Sequence, residues 1–127
     1  MDTSTPWVAI VDDDDMVRRA VLRLLRSAGI AARSYASGTE LLADMARQQP
    51  CCVILDLHMP LMDGFTLQAR LAQTAPHIAT VVVTGQHSPQ AQQQAMRYPP
   101  QAYLTKPMDE RQLLDVVAAA LASRSPT

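Results

Sequence analysis

Four stretches of this sequence close an apolar run on a group that can handle charge. VAIV (8–11) runs into four aspartates, Asp12 to Asp15; CCVIL (51–55) runs into Asp56; IATVVV (78–83) into Thr84 and Gly85; and QAYL (101–104) into Thr105-Lys106-Pro107. Brought to one place, these groups define a chemistry. Carboxylates packed together repel unless they are protonated or bridged by a cation. An all-oxygen donor set with positions left for water suits a hard divalent ion, Mg2+ first, with Mn2+ a possible substitute. A lysine adds a point charge that can hold a phosphoryl oxygen, and a threonine adds a hydroxyl donor. Carboxylate nucleophile, metal, lysine and hydroxyl together make a site for phosphoryl transfer, where positioning and charge neutralisation supply most of the catalysis.

Each group also has a plainer role when taken alone. An aspartate after a strand serves as a turn or cap residue. An acidic run complements a helix N-terminus. A threonine closing a valine run reflects β-propensity. Only convergence makes a site, so the elements must supply it. Trp7 to Val11 reads as a buried strand. Val17, Ala20, Val21, Leu24, Leu25 and Ala28 then recur at helical spacing up to a stop at Gly29, with Arg18, Arg19, Arg23 and Arg26 on the opposite, solvated side. Residues 30–35 form a weaker strand, and Ser37 with Glu40 a capping box for a helix to about Gln48. Strand CCVIL, a helix from Gly64 to about Gln73, strand 78–83, a helix opened by Ser88-Pro89 and running to about Arg97, strand 101–104 and a helix capped by Asp109 complete the chain. Five strands alternating with five helices imply right-handed crossovers and a parallel sheet covered on both faces. In such folds ligand groups collect past the carboxyl ends of the strands, beside the point where strand order reverses.

Composition narrows the function. At 127 residues the chain holds one domain, expected over 7–122, with an N-terminal arm (1–6) and a polar tail or linker start (123–127). Eleven basic against twelve acidic residues give no footprint for nucleic acid or an anionic membrane. No apolar run approaches the length of a membrane span. The start MDTSTPW lacks the order of a signal peptide, which points to the cytoplasm. Adjacent Cys51 and Cys52 on one strand point to opposite faces and read as two small apolar residues in a reducing compartment.

The pieces VAIVDDDD, VILDLHMPLMDGF, VVVTG and YLTKP, in that order, resemble the receiver domain of bacterial two-component response regulators over about residues 7–122. The pattern D-x-x-M-P-x-x-D-G after the third strand is the most specific part. The resemblance implies a flavodoxin-like, doubly wound (βα)5 three-layer sandwich. It implies that Asp56 accepts a phosphoryl group from a phosphohistidine on a sensor histidine kinase or phosphotransfer protein. Asp12, Asp13, Asp56 and the backbone carbonyl of His58 would hold magnesium, Thr84 would be the switch hydroxyl, and Lys106 the phosphate contact. Lys106-Pro107 would be cis, and Tyr103 the aromatic that moves inward with Thr84. The charge added to Asp56 would draw in Thr84 and Lys106 and shift the surface of the fourth helix, fifth strand and fifth helix. That surface would signal to a downstream protein or to a fused DNA-binding domain of LuxR type, with no nucleic-acid contact by this domain and with room for a phosphorylation-dependent homodimer.

Two other readings compete. Asp13-x-Asp15-x-Val17 fits the first motif of haloacid-dehalogenase-type phosphatases, with Asp13 as nucleophile and Asp15 as general acid, but that reading leaves D-x-x-M-P-x-x-D-G unexplained. A receiver-like interaction module that never takes phosphate would not need the full residue set present here. The chain departs from its relatives at Tyr98-Pro99-Pro100, where many carry a glycine-containing turn. Two prolines there predict a stiffer or displaced turn. His58 and Gln86 occupy positions that influence, in the family, how water reaches the acyl phosphate.

Overall fold

The computed structural model describes residues 5–59, 63–85 and 88–122. Most of the expected arm, the tail, Gln86 and the Pro60–Met62 part of the D-x-x-M-P-x-x-D-G motif lie outside the described residues. Strands and helices alternate as β1 (Val8–Val11), α1 (Asp15–Ser27), β2 (Ala32–Tyr35), α2 (Gly38–Met45), β3 (Cys52–Asp56), α3 (Gly64–Thr74), β4 (Ala79–Thr84), α4 (Pro89–Ala95), β5 (Ala102–Thr105) and α5 (Glu110–Ala122). The five strands form one parallel sheet in the order β2-β1-β3-β4-β5.

The period of two along each strand divides the apolar residues between two cores. Ala9, Val11, Val53, Leu55 and Val82 face Leu41, Leu67, Leu71 and Ala95 of α2, α3 and α4. Val8, Ile10, Ile54, Val81 and Val83 face Val21 and Leu25 of α1 and Leu113 and Val117 of α5. Helices therefore cover both faces, which explains why β1 and β3 are unbroken apolar runs rather than alternating ones.

Local caps set the helix starts. Ser37 accepts from the amide of Glu40, Asp63 from Thr66, Ser88 from Ala91, and Asp109 from Arg111 and Gln112. Two edges differ from the periodic reading. At the end of α1, Gly29 takes φ +80°, its amide reaches the carbonyl of Arg26 and that of Ile30 reaches Leu25. This is a Schellman wrap, and it consumes Ile30, so β2 begins only at Ala32. The third strand is shifted by one residue and ends on Asp56 itself, which pairs with Val83.

The reversal point lies between β1 and β3. Register pairs Val11 with Leu55, so the residue after each, Asp12 and Asp56, stands side by side at the carboxyl rim. Thr84 ends the neighbouring β4, and its partner in register, Thr105, precedes Lys106.

Candidate functional site

Asp12, Asp13 and Asp56 each offer a carboxylate oxygen within 4.8 Å of the other two. Asp12 and Asp56 are buried, whereas Asp13 is open to solvent. Lys106 reaches across from β5, its Nζ 3.0 Å from Asp12 Oδ2 and 3.6 Å from Asp56 Oδ2. The remaining carboxylate oxygens are anchored by backbone: Asp14 N–H donates to Asp12 Oδ1 at 2.8 Å, and His58 N–H donates to Asp56 Oδ1 at 3.1 Å. Thr84 is fully buried, and its carbonyl accepts from the amide of Lys106 at 2.8 Å. The Lys106-Pro107 peptide is cis.

The charges do not balance, since three carboxylates face one ammonium. Burial raises the Asp56 carboxyl, the His58 amide and Lys106 oppose that, and Asp12 and Asp13 push it further up. For Lys106, burial works against the charged form, but contact with Asp12 and Asp56 outweighs it and the ammonium is held above its ordinary value. Two carboxylates some 5 Å apart repel by about 3 kcal/mol at an effective dielectric near 20, so a second, divalent cation would be favoured here. The donor set is all oxygen, with Asp13 facing water, and it fits a small hard ion that keeps part of its hydration.

The Asp12–Asp15 run divides in two. Asp12 and Asp13 belong to the pocket. Asp14 is the N-cap of α1 and accepts from Met16 and Val17, and Asp15 in the first turn pairs with Arg18 and Arg19. Asp15 is thus engaged by two guanidinium groups on the exposed first turn of α1. Arg18 corrects the sequence reading. It does not join the solvated side of α1; its guanidinium donates to the Asp12 carbonyl at 2.8 Å and braces the acidic loop. The helical spacing put Arg18 outside because spacing describes Cα positions, not the reach of a long side chain.

Gly64 carries a constraint that D-G only hinted at. A Cβ there would lie 2.3 Å from the carbonyl oxygen of Asp56 and 2.4 Å from Leu57 Cα. The Gly64 amide donates to Leu57 O at 2.9 Å, so α3 starts directly against the strand end that presents Asp56. The His58 ring stands edge-on to Phe65, with centroids 6.3 Å apart, and its buried Nε2 makes no hydrogen bond among the described residues. Tyr103 is half-buried against the core on the α2, α3 and α4 side.

With that geometry in view, comparison with known proteins is decisive. The family model of the response regulator receiver domain matches residues 8–118. The chain belongs to that family. It is 32% identical over 114 residues to the response regulator protein TodT of Pseudomonas putida, covering 90% of this chain and 50% of that protein. It is 31% identical over 114 residues to the transcriptional regulatory protein FixJ of Azorhizobium caulinodans, covering 90% and 54%. A CheY-like receiver domain from Methanospirillum hungatei superposes with a TM-score of 0.88 at 25% identity, over 94% of this chain and 95% of that one. The chain spans about half the length of these curated relatives. It is thus a two-component receiver, a signalling domain with the flavodoxin-like fold. No helix among the described residues is long and apolar enough to cross a membrane.

Proposed function

We propose that Asp56 of this receiver takes a phosphoryl group from a phosphohistidine on a sensor histidine kinase or a phosphotransfer protein. An Asp56 carboxylate oxygen attacks phosphorus, the P–N bond to the donor imidazole breaks, and the donor histidine recovers its electron pair. The single observation that carries this reading is the Asp56 carboxylate at the strand end, buried beside two further carboxylates, with the Lys106 ammonium 3.6 Å away. Bound at Asp12, Asp13, Asp56 and the His58 carbonyl, Mg2+ (or Mn2+) would neutralise charge on the transferring group. Lys106 holds one phosphoryl oxygen and Thr84 donates to another. Both are already tethered to each other through the β4–β5 ladder, so drawing them toward phosphate strains one connected unit. Tyr103 then moves inward, and the α4, β5 and α5 surface shifts between two populations.

The work is done in the cytoplasm. The output passes to a downstream protein or to a fused DNA-binding domain, a reading supported by the transcriptional regulator among the relatives, and phosphorylation-dependent pairing of two copies is compatible with it.

The test is incubation with 32P-labelled acetyl phosphate, with and without Mg2+. Label that needs the metal, is released by hydroxylamine and disappears in Asp56→Asn is the expected result. Label that persists in Asp56→Asn and maps to Asp13 overturns the assignment in favour of a phosphatase-type nucleophile. No label on the wild type makes the chain a receiver-like module without phosphate.

A further inference from the structure

Between Asp63 and Asp109 the sequence contains no aspartate or glutamate, although acids are spread through the rest of the chain. This acid-free span builds α3, β4, α4 and β5, and it leaves an open cleft of about 320 Å³ between α3 and α4. Phe65, Arg70, Gln73, Gln94, Arg97 and Tyr98 line it. Arg70 and Arg97 are both exposed, and neither guanidinium makes an ion pair or hydrogen bond among the described residues. The arginines of the β2 and α2 side behave differently, since Arg33 and Arg47 both pair with Asp44. Lys106, in the same span, finds its acids across the sheet in Asp12 and Asp56, whereas Arg70 and Arg97 meet none among the described residues.

The cleft is preformed. Gln68, buried at 2% exposure, donates both amide hydrogens across it, to the Ala95 carbonyl at 2.7 Å and to the Tyr98 carbonyl at 2.8 Å. The Ala95 carbonyl is one that the end of a short helix leaves without an intrahelical partner, and the Tyr98 carbonyl lies in the bend beyond it. Behind the Tyr98 bridge a second hollow of about 230 Å³, walled by Ala72, Ile78 and Pro99, offers room for an apolar side chain. Of the three large apolar residues exposed among those described, Tyr98 lines both hollows, whereas Met96 and Met16 line neither.

We propose that the α3–α4 cleft docks an acidic segment of a partner protein, its carboxylates meeting Arg70 and Arg97 and an apolar side chain seated by Tyr98. Nucleic acid fits less well. Tracking a phosphate backbone takes several cations along a stripe, and two arginines on a chain of net charge −1 supply too few. None of its lining residues belongs to the phosphoryl pocket, although Phe65 also stands against the His58 ring.

The experiment uses the unphosphorylated 15N-labelled chain and a short acetylated peptide of glutamate and leucine. Saturable shifts at Arg70, Arg97 and Tyr98 are expected, with affinity falling about threefold to fivefold in Arg70→Ala and again in Arg97→Ala, and weakening as salt is raised. Arg23→Ala, on exposed α1, should leave affinity unchanged. A matched glutamine and leucine peptide should not bind. Absence of saturable binding, shifts centred on Arg19, Arg23 and Arg26, or tighter binding of an oligothymidine at the same residues would each overturn the proposal.

Discussion

Two regions of this molecule gather charge, and they treat it in opposite ways. On the flank of β2 and α2, Arg33 and Arg47 both meet Asp44. Arg33 stacks 4.2 Å above the Trp7 ring, donates to Gln48 at 2.6 Å and faces Asp44 at 3.8 Å. Arg47 donates to Asp44 at 3.0 Å, and Tyr35 Oη donates to the other oxygen of the same carboxylate. Asp44 is held below the usual carboxylate range, first by the Tyr35 hydroxyl and then by Arg47. At the rim of β1, β3 and β5, three carboxylates share one lysine, and burial drives Asp56 upward. A fold that only needs to settle its charges pairs them, as the flank does. The rim keeps an unmet negative charge, and that deficit is what a divalent ion and a phosphoryl group can use.

The sharpest way to break the contrast is to move the rim itself. Gly64→Ala forces a methyl into backbone at 2.3 and 2.4 Å, where nothing flexible can give way. A loss of about 3 kcal/mol or more is expected in urea denaturation, together with reduced labelling of Asp56 as its strand end shifts. Gly29→Ala is the control: it pays only for its left-handed backbone, about 1 kcal/mol, because nothing lies within 4 Å of its added carbon. Equal losses at the two glycines would mean that Gly64 does not fix the site.

Next in size is Lys106→Met, which keeps the stem and removes the ammonium. Since Lys106 sits against both Asp12 and Asp56, it competes with a metal for the same oxygens. Titration calorimetry should show Mg2+ binding about tenfold tighter, while phosphoryl uptake slows for want of a contact to phosphate. Unchanged affinity would place the lysine outside the metal's reach.

How much of this was legible depends on what each residue's position rests on. The rim was readable because β-branched runs stop abruptly at polar groups, and a parallel sheet must put such stops on one side. The split of the acidic run was half readable: a helix N-terminus claims acids, and Asp14 and Asp15 answer that call while Asp12 and Asp13 do not. Arg18 was misread because periodicity places a Cα, whereas its guanidinium travels back over the loop to the Asp12 carbonyl. Gln68 gave no signal at all. A glutamine in mid-helix reads as surface, and its burial goes with two carbonyls opposite it, Ala95 at the end of α4 and Tyr98 in the bend that follows. The start of β2 slipped because the wrap after Gly29 is made of backbone bonds that no side-chain pattern records.

A smaller effect tests the rim's deficit directly. The Asp56 carboxyl is raised in the fold, so its contribution is fully present at low pH and is lost as pH rises through the folded value. Asn cannot ionise. Without divalent ions at pH 7, Asp56→Asn should therefore be more stable than the wild type by about 1 kcal/mol, roughly 3–6 °C in melting temperature, with the gap closing near pH 4. Added Mg2+ should raise the wild type and leave the variant nearly unmoved. A variant less stable than wild type at pH 7 would show the pocket already settled by Lys106.

The flank predicts the reverse of this, and on the smallest scale. Tyr35 is pushed up to about 12, first by burial and then by its bond to the Asp44 carboxylate. A raised folded value means that the contribution is fully present below about 10, the phenol's ordinary value, and is lost as pH climbs through about 12. Tyr35→Phe should thus cost up to about 1 kcal/mol at pH 7, the ordinary value of one hydrogen bond, with no change in labelling of Asp56. Ultraviolet titration of the phenolates should show one tyrosine ionising near 12 and missing from the variant. If Tyr35 ionised at the ordinary value, Asp44 would lack its first partner. Asp44 would then rest on Arg33 and Arg47 alone, and the pairing of charge on the flank would owe nothing to the phenol.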